Sequence, residues 1–326
     1  MSAVSRTPPP AAGGGGGGNG RGGGGDGRGG NGRRPRRGLV PALPGLNWQQ
    51  RSPWLRAGVY LLLVTVAIIY IYPFLIQLGT AFKTQPDASA RAANPIPQTW
   101  TTAAFHDLSG QGLPTWFKNS VFLAVSVTLG RLLFDSMAGY ALARVRFFGR
   151  KAVLSAFVAV LAVPGVVLLI PKFLVFRELG IFDTYTGMIV PLMTDAAGVF
   201  IMKGFFEAIP ETIEEAARVD GASTFRIYRS IVLPMARPAL MTLTILSFQG
   251  SWNDLSDLLV AQQSPSLDTL TTGLGRLVSG GGGFGVAGNQ YPLKMAGALL
   301  TTLPVAIVFF TFQKYIVRTG EGSVKG

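Results

Sequence analysis

The chain contains no cysteine, which excludes disulfide cross-links, thiolate nucleophiles and thiolate-based metal sites. It has one histidine, His106, with no metal-ligand spacing around it, and no nucleophile–base pair lies within its apolar segments. It lacks the G-x-x-x-x-G-K-[ST] pattern that would set a lysine against nucleotide phosphates, so the chain has no evident means of hydrolysing ATP itself. Charge is also scarce. Only 14% of the 326 residues are charged, against about 25% in soluble globular domains, and this deficit points to lipid as the solvent.

The sequence is rich instead in apolar residues, which make up 48% of the chain. They gather in blocks of about 20, long enough at about 1.5 Å per residue to cross a hydrocarbon core about 30 Å thick. Six such blocks predict membrane helices near residues 54–80, 119–142, 152–170, 184–206, 238–260 and 292–317. The expected fold is therefore an all-α polytopic membrane protein of six transmembrane helices. It divides into a tail, 1–50, and a six-span domain, 51–326. The tail carries the runs Gly13 to Gly18 and Gly22 to Gly25 and the cluster Arg33, Arg34, Arg36 and Arg37. Such a composition buries too little to offset its ordering entropy. The tail is expected to be disordered and held near anionic headgroups. Without interleaved aromatics for base stacking, no nucleic acid is expected as a partner.

The net charge of +13 is placed where it orients the chain. Lys and Arg concentrate before the first block, between the second and third (Arg144, Arg146, Arg150, Lys151), and between the fourth and fifth (Arg218, Arg226, Arg229, Arg237). The positive-inside rule makes these segments cytoplasmic and places both termini there.

The segment 207–236 is too polar for lipid and reads as helix, turn, helix. Glu211, Glu214 and Glu215 suit the positive N-terminal end of a helix dipole, Gly221 permits a turn, and Ser223 or Thr224 is placed to cap a second helix that ends before Pro234. Glu215-Ala216-Ala217, three residues, Gly221, nine residues, then Ile231, Leu233 and Pro234 is a pattern that resembles the EAA loop of permease subunits of binding-protein-dependent ABC importers. The similarity extends over roughly residues 55–326. It includes 179–185, Trp252-Asn253-Asp254 and the C-terminal stretch, which look like the carbohydrate branch typified by the smaller maltose permease subunit.

The resemblance implies a type I importer permease fold and a sugar or oligosaccharide as solute. It implies as partners two ATPase subunits, a second similar permease and an extracytoplasmic solute-binding protein, all in or at a bacterial cytoplasmic membrane. It also implies that 207–236 is a coupling loop, with Glu214, Glu215, Ala216, Ala217, Asp220, Gly221, Ala222, Ile231, Leu233 and Pro234 as its contact and turn positions. ATP and Mg²⁺ would belong to the ATPase partners, with no cofactor on this chain. An amphipathic surface helix is the plainer reading of the same loop. A secondary carrier for another small solute is the alternative for the whole chain, although it would have no use for an ATPase-docking loop.

In the fifth block, Gln249, Trp252, Asn253 and Ser256 fall at i, i+3, i+4 and i+7, one face of a continuous helix. Amides, a hydroxyl and an indole suit sugar hydroxyls and ring faces, and they equally serve as glue between helices. Arg131 and Asp135, four apart in the second block, are expected to neutralise each other. Asp195 and Asp257 are expected near an interface or a wet cavity, and the glycine cluster 280–285 reads as an outward loop.

Overall fold

The computed structural model describes residues 53–279 and 290–322, with side chains as far as residue 313. The Gly/Arg tail, the glycine cluster and the side chains of Lys314, Arg318 and Lys325 lie outside the described residues. Among those described, the chain is helical with no strand. In order the helices are α1 (Pro53–Ala81), α2 (Gln85–Ala90), α3 (Ala103–Gly110), α4 (Leu113–Arg144), α5 (Arg150–Ala162), α6 (Leu169–Glu178), α7 (Tyr185–Ile189), α8 (Ala196–Ala208), α9 (Glu211–Val219), α10 (Thr224–Ile227), α11 (Leu233–Met235), α12 (Arg237–Asn253), α13 (Ser256–Ala261), α14 (Leu270–Ser279) and α15 (Tyr291–Gly322).

Among the described residues, four helical stretches are long and apolar enough to cross a membrane: α1, α4, the run Tyr185–Ala208, and Tyr291–Gln313 within α15. Two bent pairs bring the number to six if each counts as one span. The third expected span is one of these. It is not a single rod over 152–170, because the chain bends by 98° between α5 and the segment Gly165–Glu178. Pro164, at the bend, has no N–H to continue the α5 ladder, and it disfavours helical geometry at Val163, which is extended at φ −86 and ψ 120. The second bend, of 79°, separates Thr224–Met235 from α12.

α4 is the central element, packed against α8 on one side and α12 on another. Small residues let these backbones approach, as membrane helices require in the absence of a hydrophobic force between them. A methyl group at Gly139 would sit 2.8 Å from Met202 Cβ and 2.9 Å from the Lys203 amide nitrogen, and one at Gly130 would sit 2.6 Å from Met193 Cγ.

This packing overturns the expected pairing of Arg131 with Asp135. Arg131 Nε donates to the Leu192 carbonyl at 2.8 Å, and the fully buried Asp135 accepts the Asp195 backbone N–H at 3.0 Å. Tertiary neighbours offered each group a partner that the i, i+4 geometry did not. Asp195 itself caps α8, accepting the Gly198 N–H at 3.2 Å.

The connection before α7 is fastened to the one after α13. Asp183, at φ 59, accepts hydrogen bonds from the Ser264 hydroxyl and from the backbone N–H groups of Ser264 and Gln263, both at 2.8 Å. The Ser264 hydroxyl, followed by the two amides, holds this carboxyl below its ordinary range. A depressed folded value means that the stabilisation is complete above the unfolded pKa of about 3.9 and is lost as pH falls through the folded value. Melting of the detergent-solubilised protein should therefore steepen with acid below about pH 4, and Asp183→Ala should lower the melting point at pH 6 while flattening that acid limb. An unchanged acid limb in the variant would remove Asp183 as its source.

Candidate functional site

The segment after α8 folds as the expected hairpin. Helix α9 closes in a Schellman motif: the Gly221 N–H donates to Arg218 O and the Ala222 N–H to Ala217 O, both at 3.0 Å, with Gly221 at φ 80. Ser223 then caps α10, its hydroxyl accepting from the Arg226 N–H. The chain continues through a π-helical turn, Tyr228–Val232, into α11. Pro234 lies just beyond this wide turn and supplies no N–H to tighten it.

Inward-facing residues seat the hairpin on the membrane helices. Ile227 and Val232 are fully buried, and Ala217 and Tyr228 nearly so, in a cluster with Tyr140, Met202, Phe206 and Leu243. Burying an Ile or Val side chain contributes about 1.5–3 kcal/mol. The Tyr228 hydroxyl lies 2.8 Å from that of Ser136 on α4, and the rings of Tyr140 and Tyr228 are 5.2 Å apart.

The polar half of this seat is built on Arg144, the last residue of α4. Its guanidinium donates to Glu211 at 2.9 Å, to Phe206 O at 2.6 Å and to Ile209 O. Its Nε also lies 3.2 Å from Glu214 Oε1, a charge contact without the direction of a good hydrogen bond. Arg144 thereby joins three helix ends. It sits at the negative terminus of α4, satisfies carbonyls at the end of α8, and neutralises acids in the first turn of α9. Glu214 completes its own shell with the Tyr140 hydroxyl at 3.0 Å and Arg218 at 3.3 Å. A polar cavity of about 460 Å³ opens beside this network, bordered by Arg146, Glu215 and Thr224 as well.

The proposed contact positions therefore separate by face. Glu214 is 1% exposed and turned inward, so it cannot touch a partner directly; its neighbour Glu215 is exposed, as are Ala216, Asp220, Gly221 and Pro234. Ala217 is buried, while Ala222, Ile231 and Leu233 are half-buried against the membrane helices. Val219, 88% exposed, and Phe225, 60% exposed, add an apolar edge to the outer face. Sequence reasoning misses both that edge and the role of Arg144, which lies 70 positions before Glu214 and carries no local signal beyond its charge.

The polar stripe in the fifth span is corrected as well. Helix α12 ends at Asn253, and α13 begins only at Ser256, so the four residues do not share one continuous helix face. Gln249, Asn253 and Ser256 are exposed. Trp252 is 2% exposed; its Nε1 donates to Thr301 O at 3.0 Å and its ring stacks on Phe248. The indole is thus a packing element between α12 and α15, where its N–H finds the partner that burial demands. Asp257 pairs with Lys172 of α6 at 2.7 Å, and Asp254 accepts the Asp257 N–H at 3.1 Å across the break.

The comparisons with known proteins cover most of the chain. Residues 135–319 match the family model described as binding-protein-dependent transport system inner membrane component. The inner membrane ABC transporter permease protein YcjP of Escherichia coli K12 is 31% identical over 278 residues, 83% of this chain and 97% of that protein. The arabinooligosaccharides transport system permease protein AraQ of Halalkalibacterium halodurans is 32% identical over 80% of this chain and 93% of its own length. The maltodextrin transport system permease protein MdxG of Bacillus subtilis is 32% identical over 82% and 95%. Among solved structures, a chain of a bacterial ABC transporter involved in import of the acidic polysaccharide alginate superposes with a TM-score of 0.70, at 24% identity, over 81% of this chain and 98% of that one. With the all-helical membrane fold and the intact hairpin, these matches show that the chain belongs to the family of inner membrane permease components of binding-protein-dependent transport systems.

Proposed function

We propose that this permease forms half of the pathway by which an ATP-driven importer admits a sugar or oligosaccharide, and that α9 is the element through which partner ATPases move it. The observation that carries the coupling role is the division of α9 into two faces. Glu214 and Ala217 fix it to α4 and α8, while Glu215, Ala216 and Asp220 remain available on the outside. A short helix held this way transmits displacement instead of absorbing it, and alternation between outward- and inward-facing states requires such a rigid link to a bistable packing. A surface helix lying on lipid would have no need of a three-way buried ion network.

The carbohydrate assignment is supported by relatives whose names specify arabinooligosaccharides and maltodextrin and by the exposed amides of Gln249 and Asn253 at the helix break. The remaining partners are a second permease of the same kind and a solute-binding protein. The distribution of Lys and Arg supports a topology in which α9 and both termini are cytoplasmic and α2 and α3 lie outside. Deleting the chain in its source cell and measuring uptake of labelled maltodextrin, arabino-oligosaccharide and trehalose tests the reading. Loss of at least one uptake, restored by the intact chain, is expected; uptake of every sugar at the parental rate would overturn the carbohydrate assignment.

A further inference from the structure

The break between α12 and α13 is surrounded by more charge than a membrane interior ordinarily tolerates. From α6, Lys172 reaches Asp257 at 2.7 Å, and the two side chains remain 31% and 26% exposed. Asp254, between the two helices, lies within electrostatic reach of Asp257, Lys172 and Arg131. Arg131 comes from α4 and runs alongside α12, with Nη1 3.7 Å from where a Gly250 side chain would begin. Behind it lies the buried Asp135, within electrostatic reach of both Arg131 and Asp195, so the charged group extends through Arg131 away from the break. Four carboxylates thus stand against two cations, and the negative excess survives protonation of any one of them. Ionisable groups at membrane depth mark a wet pathway when they are neither lipid-facing nor fully paired, and the exposed Asn253 and Gln249 open onto the same break.

We infer that this chain's wall of the pathway is electronegative and admits uncharged sugars while disfavouring carboxylated ones. The inference rests on the proposed pathway role of Gln249 and Asn253 and deepens it. A uronate would need a cation free to meet its carboxylate. Lys172 is engaged by Asp257. Arg131 gives its Nε to Leu192 O and lies within electrostatic reach of both Asp135 and Asp254. A neutral polyol finds carboxylate and amide acceptors for its hydroxyls and donors from Gln249 and Asn253, with no like charge to approach.

The absence of cysteine makes a direct test possible, because one introduced thiol is the only one in the chain. In the complex assembled with its partner subunits, Asn253→Cys is treated with a cationic or an anionic methanethiosulfonate reagent of similar size. Modification of this chain is read by intact mass, and each rate is divided by the rate with a free thiol in solution. The cationic reagent should be favoured at least about threefold, and adding Asp257→Asn should lower that preference by a similar factor. Equal rates or an anionic preference would overturn the inference while leaving sugar import untouched. Reaction with neither reagent, at Asn253→Cys and again at Gln249→Cys, would show that the break is dry and would overturn it also. Sugar uptake is measured separately, so a failure of the transport reading remains distinguishable.

Discussion

Arg144→Ala is expected to cost this permease about 3–5 kcal/mol, the effect of leaving a buried charge without its partner. Glu214 would retain the Tyr140 hydroxyl and the half-exposed Arg218, neither of which replaces a guanidinium 3.2 Å away. The Phe206 and Ile209 carbonyls would lose a charged donor at the same moment. The hairpin should loosen from α4, so that ATP hydrolysis by the assembled complex continues while becoming independent of solute. The pair Arg144→Met with Glu214→Gln should recover a large part of the stability, since removing both charges leaves neither stranded. Thermal unfolding of the two singles and the double, each with its ATPase stimulation, makes the cycle. If Arg144→Ala unfolds within about 0.5 kcal/mol of the parent, the value typical of an unimportant surface change, the network does not hold α9.

Gly221→Pro should abolish recovery of the ATPase with a tagged chain that still inserts into the membrane. Proline fixes φ near −65°, whereas Gly221 stands at +80, and it removes the N–H that bonds Arg218 O. The end of α9 would have to unwind, displacing Glu215, Ala216 and Asp220 together. Gly221→Ala separates geometry from space. No atom lies within 4 Å of the added methyl group, so its penalty is the left-handed backbone alone, about 1–2 kcal/mol, and ATPase recovery should be reduced but not lost. Undiminished recovery with the proline variant would mean that α9 is not the docking element.

Much of this architecture was legible in the sequence, because lipid imposes length and apolarity on every crossing helix and because turn chemistry is local. Gly221, Ser223 and Pro234 announced the hairpin from their own conformational rules. Direction was not legible. Hydropathy records how far a segment can run in lipid and nothing about whether its helix is continuous, so the bend at Pro164 and the break at Asp254 were hidden inside spans three and five. Adjacent carboxylates posed a similar problem. Glu214 and Glu215 are separated by about 100° around a helix, and only the arrival of Arg144 from a distant part of the chain decides which is turned inward. Arg131 and Asp135 were misread for the same reason, as their spacing permitted a pair that nearer backbone groups pre-empted.

The bend after α5 also bears on the fate of unassembled copies. Val163, Pro164 and Gly165 are exposed where the helical ladder is interrupted between the two apolar halves of a bent pair. Lipid offers no hydrogen bonds to such a backbone, which is tolerated at that depth only against protein or water. If the proposed second permease covers this backbone, a copy without it carries an unmet demand there. Cellular quality control can recognise that defect before transport begins, so steady-state abundance should follow that of the scarcer subunit and orphan chains should be short-lived.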